Sequence, residues 1–347
     1  MNFPLHLIKY SRPWGKYRSI KLKSFSDFNL VNATNIDEAV TALSGNSCYP
    51  LAGGTDLLGV MRFHIFPREM YPKTVVNLKS IAPSLHYLKE EENVLKIGAL
   101  TPLEDIAKST AVKSKWGALA VAAHEAASPH LREMGTIGGN ICQHNRCWYF
   151  WKEENRFNCL KKDPKGLCYA ILGNNKYHSI FGGSSGCVSV SPSDLAPALV
   201  VLNANVVTTK RTIPIEDFFA VQVAPNGFGS TILSTDEIVT EIQIPAPSPN
   251  SKSTFVKFAL RSSIDFPIVN CAAVVSENEA RICLNAVSGT PKRAQNAEDY
   301  IKGKIINEES ANNASIEALK DAVALPYNKW KIQIAKAMVK KALLALA

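Results

Sequence analysis

Two double-glycine turns constrain this chain more than any other feature: LAGGTDLL, from Leu51 to Leu58, and TIGGNI, from Thr136 to Ile141. Each adjoins an apolar segment and sets a hydroxyl and an Asx residue beside the glycines. Without Cβ atoms, such a turn lets successive backbone N–H groups converge on an anion, typically a phosphate oxygen. Thr55 and Thr136 can add hydroxyl donors. Asp56 would repel a phosphate, so it is expected to bond a sugar hydroxyl or to brace the turn. A tight loop holding no ligand is the competing reading, because Gly is the default turn residue; two turns dressed alike weigh against it. Neither turn fits the G-x-G-x-x-G fingerprint or a Walker A loop, which disfavours a Rossmann site and a P-loop.

Around these turns, short β-branched stretches mix with helical ones. The stretch from Ser24 to Ser47 predicts a strand and then a helix, capped by Thr34 or Asn35, with Asp37 and Glu38 in its first turn and Gly45 at its end. Thr101-Pro102 opens another helix, and the Ala-rich run after Trp116 is helical up to the Ser128-Pro129 step. Ile244 to Ser253 holds three prolines and reads as a linker. Beyond it come strands and then helices, the last placing Trp330, Ile334, Met338 and Leu343 near one face and its lysines on another. Strands and helices without long βαβ alternation predict an α+β fold rather than a doubly wound sheet.

Bulk properties exclude some classes. At 347 residues, 46% hydrophobic and 20% charged, the chain is an ordinary globular protein of two or three domains. It has no apolar run near the roughly 18 residues of a membrane helix. Its first residues have no h-region or cleavage site, so a cytoplasmic location is expected, with export on a partner's signal compatible. The net charge of +9 is spread along the chain without a nucleic-acid motif, and reads as a solvated basic surface. Lys152, Arg156, Lys161, Lys162, Lys165 and Lys176 read likewise as a solvated loop, with complementarity to an acidic partner as the alternative.

Five of the eight cysteines lie between positions 142 and 187, four of them in the pattern Cys147-x11-Cys159-x8-Cys168-x18-Cys187. A disulfide set does not suit a cytoplasmic chain, and five thiols leave one over. Structural zinc commonly uses two close Cys pairs, absent here, whereas iron–sulfur clusters tolerate wide loops between four thiolates. From spacing alone, iron–sulfur, zinc and no metal all stay open. Cys142 reads as a packing residue and as the reserve ligand, and Cys48, Cys271 and Cys283 as core. No role falls to His124, His130, His144 or His178.

In order and spacing, LAGGTDLL, KIGAL, TIGGNI, SPSDLAPAL and FVKFALRSSIDFPIVNCA resemble the FAD-binding medium subunits of molybdenum hydroxylases, the xanthine dehydrogenase and carbon monoxide dehydrogenase flavoprotein family. The resemblance implies a two-subdomain FAD-binding domain of the vanillyl-alcohol-oxidase (PCMH-like) type over residues 24–245. A small α/β C-terminal domain over 254–347 would follow, and residues 1–23 would be an extension without counterpart. It further implies that Leu51, Ala52, Gly53, Gly54, Thr55, Asp56 and Leu57 wrap the FAD pyrophosphate and ribityl chain, and that Thr136, Gly139 and Asn140 complete the cradle. Ile97 would lie near the cofactor, Asp194 would hydrogen-bond it, Lys257 would approach the isoalloxazine, and Val239 is a weaker apolar match. Without the resemblance, Asp194 reads as a helix cap.

Most members of that family pass within a few residues from the GGN turn to the SDL segment, whereas here 52 residues separate Asn140 from Ser193. This insertion, about 142–190, is similar to one in a subset that includes hydroxybenzoyl-coenzyme-A reductase and a bacterial aldehyde oxidoreductase. The similarity implies a 4Fe–4S cluster on Cys147, Cys159, Cys168 and Cys187, with Trp148, Tyr149, Phe150 and Trp151 shielding it. The implied function is electron transfer between a large molybdopterin-binding subunit with a small 2Fe–2S subunit, in a heterotrimer or its dimer, and an external electron carrier. No catalytic residue is assigned to this chain. Its rivals are a stand-alone flavoprotein reductase of the cell-wall-precursor type and a zinc-stabilised scaffold subunit.

Overall fold

A computed structural model describes residues 25–224 and 229–347; the expected extension, 1–23, lies outside them. Three sheets organise the chain, and the α+β expectation holds. The first is parallel, with β1 (Asn29–Asn32) and β2 (Cys48–Leu51) flanking β3 (Thr74–Asn77). Helix α1 (Ile36–Leu43) links β1 to β2 and is capped by Asn35, which accepts from the Glu38 N–H at 2.9 Å. Helix α2 (Leu57–Arg62) leaves the first glycine turn.

The second sheet is antiparallel, in the order β4 (Leu88–Glu91), β5 (Val94–Gly98), β8 (Val239–Pro245), β6 (Asn205–Thr208) and β7 (Thr212–Pro214). The third, also antiparallel, runs β12 (Lys292–Arg293), β11 (Ala280–Asn285), β10 (Val269–Val275), β9 (Lys252–Phe258). The proline-rich stretch expected to be a linker gives its first two residues to β8 and its last two to β9, leaving only 246–251 irregular.

Helices Gly117–Glu125 and Leu195–Val201 lie between the second and third sheets. Strand β10 is apolar apart from Asn270, and its two faces show why. Ala272 and Val274 face this helical layer, while Cys271 and Ala273 face a separate core under the C-terminal helices. Cys283 and Cys271 are fully buried, whereas Cys48 is only partly so.

The C-terminal helix, Trp330–Leu344, departs from the expected pattern. Met338 and Leu343 are buried with Ala335, Val339 and Ala342, but so is Lys331, while Trp330 and Ile334 are only half-buried. The Lys331 ammonium reaches the carbonyls of Ala286 (2.5 Å), Tyr177 (3.1 Å) and His178 (3.2 Å), which replace the water its charge would otherwise need. Among the described residues no helix is long and apolar enough to cross a membrane.

Candidate functional site

The two glycine turns meet. A Cβ on Gly53 would fall 2.1 Å from the Met134 carbonyl oxygen, and one on Gly139 would face the Ala52 Cβ at 3.8 Å. Gly54 takes a φ of +75°, a left-handed conformation that favours glycine. Among the described residues the N–H groups of Gly53, Gly54 and Thr55 donate to no protein acceptor, so the first turn leaves three donors unused.

The second turn differs from expectation. It forms a short helix, Ile137–Cys142, and its N–H groups are already used: Ile137 bonds the Thr101 carbonyl (3.0 Å) and Gly138 the Ala99 carbonyl (3.0 Å). Gly139 bonds Thr136 Oγ1 (3.2 Å) and Asn140 the Thr136 carbonyl (2.8 Å). Its glycines serve close packing, and only the first turn presents free donors. Of the two roles expected for Asp56, the brace is observed: one oxygen takes the Arg146 guanidinium at 2.6 Å and the other the His144 N–H at 3.1 Å.

A second group of polar residues lies beside the turns. Ser193 Oγ donates to Asn140 Oδ1 at 2.5 Å and accepts from the Ala196 N–H at 3.1 Å, so Ser193 does the capping and Asp194 makes no cap bond. Asp194 instead receives Lys257 Nζ at 2.8 Å and Asn270 Nδ2 at 2.8 Å, and Lys257 also reaches the Glu125 carbonyl at 2.8 Å. Burial pushes the Asp194 carboxyl up to about 6 despite Lys257 and Asn270, which act to lower it. Asn270 Oδ1 and Asn285 Oδ1 are buried there without a partner. Ile97 and Val239 point into the core, so their side chains meet no open surface.

Cys147 and Cys159 pack in one cluster with Phe150 and Trp151, and Cys187 is close enough to Cys147, Cys159 and Cys168 to help raise all three thiols. Burial pushes Cys147 up to about 12 and raises Cys159 and Cys168. Backbone N–H groups oppose this: those of Phe150 and Tyr149 at Cys147, of Lys161 at Cys159, and of Val188, Ala170 and Ile171 at Cys168. Among the described residues no three His, Cys, Asp or Glu side chains are grouped so as to hold a metal ion.

Several neighbours of these thiols were not evident in the sequence. His178 Nε2 lies 3.2 Å from Cys147 Sγ. Lys161 and Lys162, expected in a solvated loop, are buried. Of the four aromatic residues expected as a shield, Phe150 is buried and Trp148 is largely exposed. A lone histidine or a Lys-Lys pair carries no signal of such placement; only the tertiary fold brings acceptors to them.

A glycine-lined turn with unused N–H donors, packed against a second glycine turn, is the class of site that can hold the phosphates of a dinucleotide. Sequence comparison fixes the class: residues 26–247 match the FAD binding domain in molybdopterin dehydrogenase, and 254–346 match the CO dehydrogenase flavoprotein C-terminal domain. The chain belongs to the family of FAD-binding medium subunits of molybdenum hydroxylases, and is thus an oxidoreductase subunit.

Relatives extend along most of the chain. The aldehyde oxidoreductase FAD-binding subunit PaoB of Escherichia coli (strain K12) is 29% identical over 80% of this chain and 86% of its own. The carbon monoxide dehydrogenase medium chain of Hydrogenophaga pseudoflava is 26% identical over 89% and 93%. A solved structure of carbon monoxide dehydrogenase from that organism superimposes with a TM-score of 0.70 at 25% identity, covering 93% of this chain and 98% of the other. Neither the stand-alone reductase nor the zinc scaffold is favoured by these matches.

Proposed function

We infer that this chain is the FAD- and 4Fe–4S-containing electron-transfer subunit of a heteromeric molybdenum hydroxylase. Residues 24–245 form the flavin domain, interrupted by the insertion at about 142–190, and 254–347 form the smaller domain. Leu51, Ala52, Gly53, Gly54, Thr55 and Leu57 wrap the FAD pyrophosphate and ribityl chain, with Asp56 as the brace. Thr136, Gly139 and Asn140 wall the cradle from the other side, Asp194 and Lys257 address the flavin ring, and Ile97 and Val239 back the site from the core. The observation that carries the flavin reading is the unused N–H set of Gly53, Gly54 and Thr55, in a turn where a Cβ on Gly53 would clash. Bound FAD would supply interchange between two-electron and one-electron chemistry.

Cys147, Cys159, Cys168 and Cys187 are the ligands of the cluster. Support comes from the donor set: four cysteines, Cys159 and Cys187 buried and Cys147 and Cys168 half-buried, with N–H groups directed at three of the sulfurs. Hydrogen bonds to sulfur and burial are the means by which proteins tune such centres. The partners are a large molybdopterin-binding subunit, a small 2Fe–2S subunit and an external electron carrier. The relatives named as medium chain and FAD-binding subunit support such an assembly.

The test is anaerobic purification with flavin, iron and acid-labile sulfide quantified. Wild type should hold one flavin and about four iron and four sulfide per chain. C147S and C187S should lose iron and keep flavin, whereas C142S should keep both. A flavin-bearing wild type without iron would reduce the function to flavin-mediated transfer alone.

A further inference from the structure

Lys161 and Lys162 are consecutive and almost fully buried, 2% and 5% exposed. Lys162 Nζ donates to the carbonyls of Ile65 (2.6 Å) and Phe150 (2.9 Å) and to Asn155 Oδ1 (3.0 Å); Lys161 Nζ donates to the Gly229 carbonyl (3.0 Å). All these acceptors are neutral. Both ammonium groups also lie over the Phe150 ring, 5.7 and 4.6 Å from its centroid. Phe150 packs in one cluster with Cys159 and Cys147, and the Lys162 N–H donates to the Cys159 carbonyl at 2.7 Å, so both ammonium groups lie beside these cysteines. Two cations buried among neutral acceptors are costly unless a negative group lies close by. Here the groups able to supply that charge are the cysteine sulfurs, once a bound metal centre keeps them deprotonated.

We propose that Lys161 and Lys162 are positioning residues that provide the built-in countercharge of the four-thiolate centre and hold its reduction potential up. The proposal rests on the cluster reading above. A four-thiolate iron–sulfur centre carries net negative charge, and reduction adds more, so fixed cations beside it favour the reduced form. Lys162 has a second task. Its bond to Ile65, just past the end of α2, ties the insertion to the helix that leaves the first glycine turn. The side chain that faces the thiols therefore also fixes them relative to the cradle.

The test uses the full chain, with any partner subunits that co-purify, isolated anaerobically as wild type, K161M, K162M and K162R. Iron is counted, and the midpoint potential is read by EPR-monitored redox titration. Both Met variants should retain iron with a lowered midpoint, while K162R stays near wild type. Met variants with full iron and an unchanged midpoint would overturn the proposal. Iron lost from K162M but kept by K162R supports it, since the two differ in charge; iron lost from both overturns it in favour of a fit specific to the lysine shape. A wild type that holds flavin but no iron removes the cluster reading, and the proposal with it, before any variant is compared.

Discussion

Arg146 Nη2 lies 2.6 Å from Asp56 Oδ1, so the carboxylate of the first glycine turn is held by the opening residues of the Cys-rich insertion. The same guanidinium donates to the His144 carbonyl at 2.6 Å and sits 4.3 Å from the ring centroids of both Trp151 and Phe266. Phe266 follows β9, so three distant segments of chain share one cation. Its backbone pairs with Val190, closing the insertion on itself.

Replacing that cation should loosen all three segments. R146M is expected to destabilise the protein by about 1–3 kcal/mol, the range for charged hydrogen bonds in a partly buried setting. Denaturant unfolding of wild type, R146M, D56N and the double variant measures this as a coupling energy. Additive losses would mean that the two side chains do not act together.

The glycine turn predicts a contrast between neighbours. G53A drives a methyl group into the Met134 carbonyl and should cost at least tenfold in FAD affinity, about 1.4 kcal/mol or more. At Gly59, inside α2, an added Cβ meets nothing within 4 Å, so G59A should bind FAD normally and gain about 0.5–1 kcal/mol of stability. Fluorescence titration of the apoprotein with FAD separates the two; equal affinities would refute the steric argument.

Asp194 gives a pH signature. Burial raises its carboxyl from 3.8 to about 6, so folding favours the protonated acid. The stabilisation from this group is complete below about pH 4 and is lost as pH rises through about 6. The stability of apo wild type relative to D194N should therefore fall between those values and then level. A difference that rises with pH in this window would contradict the assignment.

Lys331 should show a different dependence. Burial lowers its ammonium from 10.5 to about 7, so its contribution to stability is lost as pH falls through about 7 and grows from there toward 10.5. The stability of wild type relative to K331M should increase over that range. K331M also strips three carbonyls of their donor, and should be destabilised at every pH within it. Chemical denaturation at pH 7, 8.5 and 10 reads both effects.

What could be read from the sequence was local. Asn35 as a cap and the end of the Ala-rich helix before the Ser128-Pro129 step follow from side-chain and ring chemistry within a few residues, and the structure has both, although a further short helix opens at Pro129. Both glycine turns also stand where expected, yet their division of labour was hidden. The second turn's donors are consumed by Ala99 and Thr101, which fold brings across from the end of β5. Lys331 defeated the amphipathic pattern because the carbonyls that solvate it come from the insertion and from the end of β11. Lys161 and Lys162 did so for the same reason, and no spacing rule encodes such partners.

The brace of Lys331 has a consequence for biosynthesis. Together with Asn328, which donates to the carbonyls of His178 and Ser179, it clasps the returning limb of the insertion at the histidine that touches Cys147. These clasping residues follow the last of the four cysteines in the chain, so they are synthesised after it. The latch on the thiol pocket can therefore close only once that later segment has been made and has folded against the insertion.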